Sequence, residues 1–275
     1  MGLRGRPADE HGGIVTGGRT EQGPAVLLLP GGAAACEGFF PGMPEGLADD
    51  PGCRVIVHDR PGTGTSTEDG TLAGAAAHLA ALVGELGRGP VVVVGQSLGG
   101  AVATLLARDH PEVVAGLVLL DPTPINDPAA CARLERVMGV VATVTAVPPV
   151  RGLLAGLLRA TMARERRRLR LRPDCAAAHE RIAGSDIRVL ARAVRGLAAL
   201  SAGLREADLP RVPSVVVTAD RAETDAVHRA HARLADAFGG TLVSWPGSTH
   251  NPQLDHPDET LAVVRELAGR VATGR

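Results

Sequence analysis

The residue with the most chemical meaning in this sequence is Ser97, within Val91-Val92-Val93-Val94-Gly95-Gln96-Ser97-Leu98-Gly99-Gly100. Four β-branched residues run into Gly-x-Ser-x-Gly, and an alanine-rich segment follows. That order predicts strand, sharp turn and helix, with the serine at the apex of a strained turn. A Cβ at Gly95 or Gly99 would collide across so tight a bend, and the opening turn of the helix aims free N–H groups beside the serine oxygen. A serine hydroxyl is a weak nucleophile at neutral pH and needs a base, held in turn by an orienting group. The best base is His250, in Pro246-Gly247-Ser248-Thr249-His250, on the loop after the last predicted strand. In a parallel sheet that loop emerges at the same edge as the Ser97 turn. The rivals are weaker. His58 precedes Asp59 at a strand end; His228 and His231 sit three apart on a helix, a spacing that can hold a metal. No third ligand lies nearby in sequence, so no metal site is expected and a solvated helix face is the simpler reading. His11, His78, His110, His179 and His256 read as surface positions.

Short apolar runs alternating with helical stretches must place these residues. Strands are predicted at 25–29, 54–58, 91–94, 117–120, 214–218 and 241–245, and helices at 72–86, 98–108, 224–238 and 258–271. This is the pattern of an α/β fold, a mostly parallel sheet with helices on both faces. Val15 and its glycine-rich neighbours predict a short opening hairpin. From Pro122 to about Val212 no strand-like run occurs, only helical segments punctuated by prolines and Gly184. So long an interval exceeds a βα connection. Residues 1–121 and 213–275 are therefore expected to form the core, and 122–212 a helical cap inserted after the fourth of these strands, covering Ser97 and shaping substrate choice.

Composition narrows the chemistry. The 275 residues suit one large α/β domain, and the 45% hydrophobic content suffices for a two-sided core. The chain has no lysine and no tyrosine, and all 29 basic residues are arginine, a bias typical of GC-rich coding. A P-loop lysine, a pyridoxal-phosphate Schiff base and a Tyr-plus-Lys dehydrogenase site are all excluded. A net charge of −1 and only four aromatic residues (Phe39, Phe40, Phe238, Trp245) give no platform for nucleic acid. Cys36, Cys53, Cys131 and Cys175 are scattered without CxxC spacing, which fits reduced thiols in a cytoplasmic protein. Residues 1–13 lack an apolar signal core and no segment approaches a membrane span, so no membrane association is expected.

These segments together resemble the α/β-hydrolase superfamily, from Pro24 to Val271. The carriers are the elbow Gly95-Gln96-Ser97-Leu98-Gly99, the Gly247-x-x-His250 loop, Leu28-Leu29-Pro30-Gly31-Gly32, and Asp59-Arg60-Pro61-Gly62-Thr63-Gly64-Thr65-Ser66. The last matches a loop that is structural in most members, so Asp59 is given no catalytic role. The resemblance implies an oxyanion hole made by the backbone N–H of Leu98 with that of Gly32, or of Ala33, since Pro30 replaces the usual histidine. Gly31, Ala33 and Gln96 would then line the substrate site. Three carboxylates compete to orient His250. Most members place the acid after the penultimate strand in a G-x-x-D pattern; here the segment reads Ala219-Asp220-Arg221-Ala222-Glu223, with alanine at the expected aspartate. Others, notably lipases, place it directly after the strand that follows the elbow helix, where this chain has Asp121. Asp121 is placed first, then Glu223 and Asp220; for Asp121 the competing reading is an N-cap or loop anchor.

The expected activity is hydrolysis of a small-molecule ester, thioester or lactone through an acyl-enzyme on Ser97, without a cofactor. A cofactor-free lyase, cyclase or perhydrolase-like enzyme is the alternative, because the fold hosts all of these. A non-catalytic ligand-binding relative is the third reading. The missing tyrosines remove the paired cap tyrosines of α/β-fold epoxide hydrolases. Those enzymes and haloalkane dehalogenases also use an aspartate nucleophile where this elbow offers Ser97. Seven arginines between Arg159 and Arg172, interrupted by one acid, Glu165, admit two readings. They form a solvated helix, or they grip an anionic carrier such as a CoA or phosphopantetheine phosphate.

Overall fold

The computed structural model describes residues 14–16, 23–87 and 89–274. Strand β1 (Ile14–Thr16) is followed by β2 (Ala25–Leu29), α1 (Met43–Asp49), β3 (Arg54–Val57) and α2 (Ala75–Glu85). The central pair is β4 (Val91–Gln96) and β5 (Val114–Leu120), joined by α3 (Leu98–Asp109). Five helices come next: α4 (Pro128–Val144), α5 (Pro148–Leu169), α6 (Pro173–Ala183), α7 (Ile187–Ala193) and α8 (Leu197–Ala202). The chain closes with β6 (Ser214–Thr218), α9 (Ala226–Phe238), β7 (Thr241–Ser244), α10 (Pro252–Asp255) and α11 (Pro257–Ala272).

The strands form one sheet in the order β1-β3-β2-β4-β5-β6-β7, parallel except for β1. Ile14–Thr16 pairs antiparallel with β3, and residues 1–13 and 17–22, on which the expected opening hairpin falls, lie outside the described residues. The expected parallel sheet with helices on both faces is the observed architecture.

Alternation along the strands splits the core in two. Leu27, Leu29, Val91, Val93, Leu117 and Leu119 face α2, α3 and α9, while Val26, Leu28, Val92, Val94, Val118 and Leu120 face α1 and α11. All twelve are buried, so the β-branched runs are strands covered on both sides. All four cysteines are buried and free. Helix α1 has no sequence-level prediction; it contains Pro44 and Gly46, and its burial rests on Met43 and Leu47 alone.

Between β5 and β6 no strand occurs among the described residues. Helices α4, α7 and α8 join the sheet's own core through Cys131, Met138, Ala191 and Leu197. Helix α5 differs. It contributes no buried residue among those described, and α6 is its main neighbour.

Candidate active site

The site sits at the C-terminal edge of the sheet, where β4, β5 and β7 each deliver one side chain. Strand β4 ends in the elbow, and Ser97 adopts φ 50°, ψ −117°, a left-handed conformation that lifts Oγ off the sheet. The flanking glycines permit it by close backbone approach. A Cβ on Gly95 would lie 2.6 Å from the Gly99 carbonyl oxygen, and one on Gly99 would overlap that of Leu29. The elbow helix therefore touches the end of β2 directly. Leu98 opens α3, so its N–H has no intrahelical partner.

Asp121 directly follows β5, itself at φ 41°, and is 1% exposed. His250 bridges it to the serine. Its Nδ1–H donates to Asp121 Oδ2 at 2.6 Å, and Ser97 Oγ–H donates to Nε2 at 2.9 Å. The structure thus brings Ser97, His250 and Asp121 together and leaves the other two acids elsewhere. Glu223 is solvent-exposed. Asp220 holds the histidine loop, accepting from Gly247 N–H at 2.8 Å while its own N–H donates to the Ser248 carbonyl at 2.8 Å. Gln96 adds a further tie, its side-chain amide donating to the His250 carbonyl at 2.6 Å.

Sequence reasoning missed Arg221. Its guanidinium donates to both carboxylate oxygens of Asp121, with Nη2 to Oδ2 at 2.7 Å, and the Ala219 N–H adds a bond at 2.9 Å. Burial pushes the Asp121 carboxyl up, but the hydrogen bonds from Arg221, His250 and Ala219 outweigh it and hold it well below the usual carboxylate range. Asp121 is therefore a fixed anion with every oxygen engaged.

Arg60 was also missed. It is 6% exposed and donates to the Gly32 carbonyl at 3.0 Å, pinning the loop after β2. Burial pulls its guanidinium down to about 10 against the pull of Asp59. Asp59 braces the same region by accepting from Cys36 N–H (2.7 Å) and from Thr65 N–H and Oγ1 (2.7 and 2.9 Å). This is the structural part expected of Asp59.

Two of the other histidines, His231 and His179, depart from their expected settings. His231 is fully buried rather than solvated. Its Nε2–H donates to the Pro122 carbonyl at 2.7 Å, and Nδ1 lies 2.9 Å from Thr218 Oγ1. His179 is 2% exposed, not at the surface. His58 is 6% exposed and meets His78 at 2.8 Å between their Nε2 atoms. His11 lies outside the described residues. Among the described residues no group of three or more His, Cys, Asp or Glu is arranged to hold a metal ion.

Two cavities meet at Ser97. One, of 440 Å³, is lined by Gly31, Gly32, Ala33, Gln96 and His250, with Phe39 and Ile182 as apolar walls. The other, of 320 Å³, adds Leu98, Asp121, Leu134, Met138 and Val194. Leu190 borders both, and a Cβ on Gly32 would lie 3.0 Å from its Cδ1. Both volumes are in the range of small-molecule sites. An outer pocket of 340 Å³, lined by Arg151, Leu154 and Arg159, shares Ser185 and Asp186 with the first.

Comparison with known proteins agrees with this geometry. Residues 26–263 match the model of the alpha/beta hydrolase family. The chain is 61% identical over 49 residues to lipase LipV of Mycobacterium tuberculosis, a match spanning 18% of this chain and 19% of that protein. It is 33% identical over 105 residues to the mouse sn-1-specific diacylglycerol lipase ABHD11, across 38% of this chain and 34% of that one. These matches span a fifth to a third of the curated relatives. A thermophilic esterase from Thermogutta terrifontis superposes over 94% of this chain and 93% of its own, with a TM-score of 0.70 and 26% identity. With the family match running through most of the sheet and the loops at its edge, the chain belongs to the alpha/beta hydrolase family.

Proposed function

We propose that this protein is a serine hydrolase of uncharged carboxylic esters, with Ser97 as nucleophile, His250 as base and Asp121 as its orienting acid. The observation carrying this reading is the unbroken hydrogen-bond chain from Ser97 Oγ through His250 to Asp121, opening onto two largely apolar cavities. The lipase and esterase names of the relatives point the same way.

In the proposed cycle His250 Nε2 takes the Ser97 proton as Oγ bonds to the ester carbonyl carbon. The N–H groups of Leu98 and Gly32 receive the oxyanion, each such donor contributing about 3 kcal/mol to the transition state. Asp121 stabilises the imidazolium without taking its proton. The acyl carbon–oxygen bond then breaks and His250 returns the proton to the leaving alcohol. Water, deprotonated by His250, attacks the acyl-enzyme; the carboxylic acid departs and Ser97 recovers its proton. The helices between β5 and β6 act in this reading as a cap, since Leu134, Met138, Ile182 and Leu190 wall the cavities.

An acyl group on a carrier or CoA is the second reading. It is supported by Arg151 and Arg159, which line the outer pocket and could seat a phosphate. The test is a fluorophosphonate label mapped by mass spectrometry, alongside turnover of p-nitrophenyl esters and acyl-CoAs. Labelling of Ser97 that is lost in His250→Ala, with ester turnover, is the expected result. Folded protein that neither labels nor turns over any ester overturns the proposal.

A further inference from the structure

The helices α4 and α5 carry an exposed surface that the catalytic reading does not use. On α4, Val137, Val140 and Val144 follow one another at helical spacing and are 51%, 61% and 43% exposed. Val147, in the connection to α5, is exposed, and on α5 Leu153 and Leu157 are 74% and 64% exposed. Val144 and Val147 lie at the connection between the two helices, and Leu153 and Leu157, four apart, share one face of α5. Soluble surfaces scatter single apolar residues; a run on two successive helices marks a surface that is covered in use. Leu153 and Leu157 line none of the three pockets described above.

Arginine flanks this corner on both sides. The exposed stripe of α4 begins with Arg133 and Arg136, and that of α5 continues from Leu153 and Leu157 into Arg164, Arg167 and Arg168, all exposed. Residues 128–172 hold ten of the chain's 29 arginines and two of its 30 acids, leaving 19 arginines and 28 acids elsewhere. The segment therefore carries a formal +8 and the remainder −9, with Arg166 paired to Glu180 and Arg172 to Asp174 and Asp258. One of the two acids, Glu135, is committed, accepting from the N–H groups of Gly196 and Ala198 at 2.8 Å.

Apolar side chains flanked by a one-signed basic collar fit one occupant: an anionic lipid surface. Aliphatic groups enter the acyl boundary while guanidiniums pair with headgroup phosphates. A second copy of this chain would bring +8 against +8, and a neutral apolar partner would leave the arginines unused. We propose that the α4–α5 corner docks this protein on anionic membranes, with Leu153 and Leu157 entering the lipid and Arg164, Arg167 and Arg168 holding its phosphates. No helix among the described residues is long and apolar enough to span a bilayer, so the contact is with one face only, a surface association that departs from the sequence-based expectation of no membrane contact. Docking is independent of the Ser97 chemistry.

The test is co-sedimentation of the full chain with vesicles of phosphatidylcholine alone, or with about one third phosphatidylglycerol. Binding is expected only to the anionic vesicles and is lost at high salt. Leu153→Ser with Leu157→Ser lowers partitioning at least about 10-fold. Arg164→Gln with Arg167→Gln and Arg168→Gln lowers it on the order of 100-fold. Both variants keep the wild-type thermal midpoint and soluble-ester turnover, and Ser97→Ala binds as the wild type does. Equal binding to both vesicle types, or none to either, overturns the proposal. So does a lipid-free dimer in sedimentation velocity that the leucine changes dissolve, or acyl-CoA binding that the arginine changes abolish without any vesicle binding.

Discussion

His250 and Leu157 are both largely exposed, the imidazole side chain at 53% and the leucine at 64%, yet their settings are opposite. The loop of His250 is tied by Gln96 through its carbonyl, by Asp220 through Gly247 and Ser248, and by Asp121 through its ring. Each tie comes from a different strand end. Helix α5 has α6 as its main neighbour and adds nothing to the buried core among its described residues. Exposure at the sheet edge belongs to a group fixed for contact with small molecules. Exposure on α5 belongs to a helix face turned away from its main neighbour α6, to which Arg166 is tied through Glu180. The difference separates a side chain tied from three strand ends from side chains without a buried contact.

The sharpest way to break this contrast is at the acid. Asp121→Asn is expected to lower kcat for a p-nitrophenyl ester on the order of 10⁴-fold, whereas Glu223→Gln leaves it unchanged. A loss on Glu223→Gln with Asp121→Asn still active would reassign the acid. Packing gives the next effect. Leu119→Ala, at a fully buried site in β5, should cost about 2–5 kcal/mol in urea unfolding. Leu157→Ala should stay within about 0.5 kcal/mol; a cost like that of Leu119 would mean that α5 is anchored after all.

The smallest effect concerns pH. Burial lowers the pKa of His231, a pull that Asp121 at 3.7 Å only partly offsets. The unfolded chain takes up a proton near pH 6.5 that the folded one refuses, so this contribution is full above that pH and declines as pH falls. Thermal midpoints should drop between pH 7 and pH 5, and His231→Gln should make that drop shallower. It should not abolish it, because burial, reinforced by His78, lowers the pKa of His58 in the same direction. An unchanged slope would show that His231 titrates alike in both states.

Much of the sheet was legible because its strands are covered on both faces and so appear as unbroken aliphatic runs. Five of the six strands predicted are bounded within two residues, and the start of β5 lies three residues earlier. The elbow was legible because its glycines answer to local backbone crowding. What was not legible depends on residues far apart in sequence. Arg221 meets Asp121 across 100 positions and Arg60 meets Gly32 across 28; nothing near either arginine distinguishes it from a solvated one. His231 misled for a different reason. It shares the inward face of α9 with Ala230, Leu234, Ala235 and Phe238, a helical spacing that the pairing with His228 obscured.

The division of charge between residues 128–172 and the rest of the chain has a further consequence at the bench. A sequence pI of 6.8 and a net charge of −1 describe an average that neither region shows. At neutral pH a protein so divided offers one face to a sulfonate resin and another to a quaternary-amine resin, and its retention on either follows orientation rather than total charge.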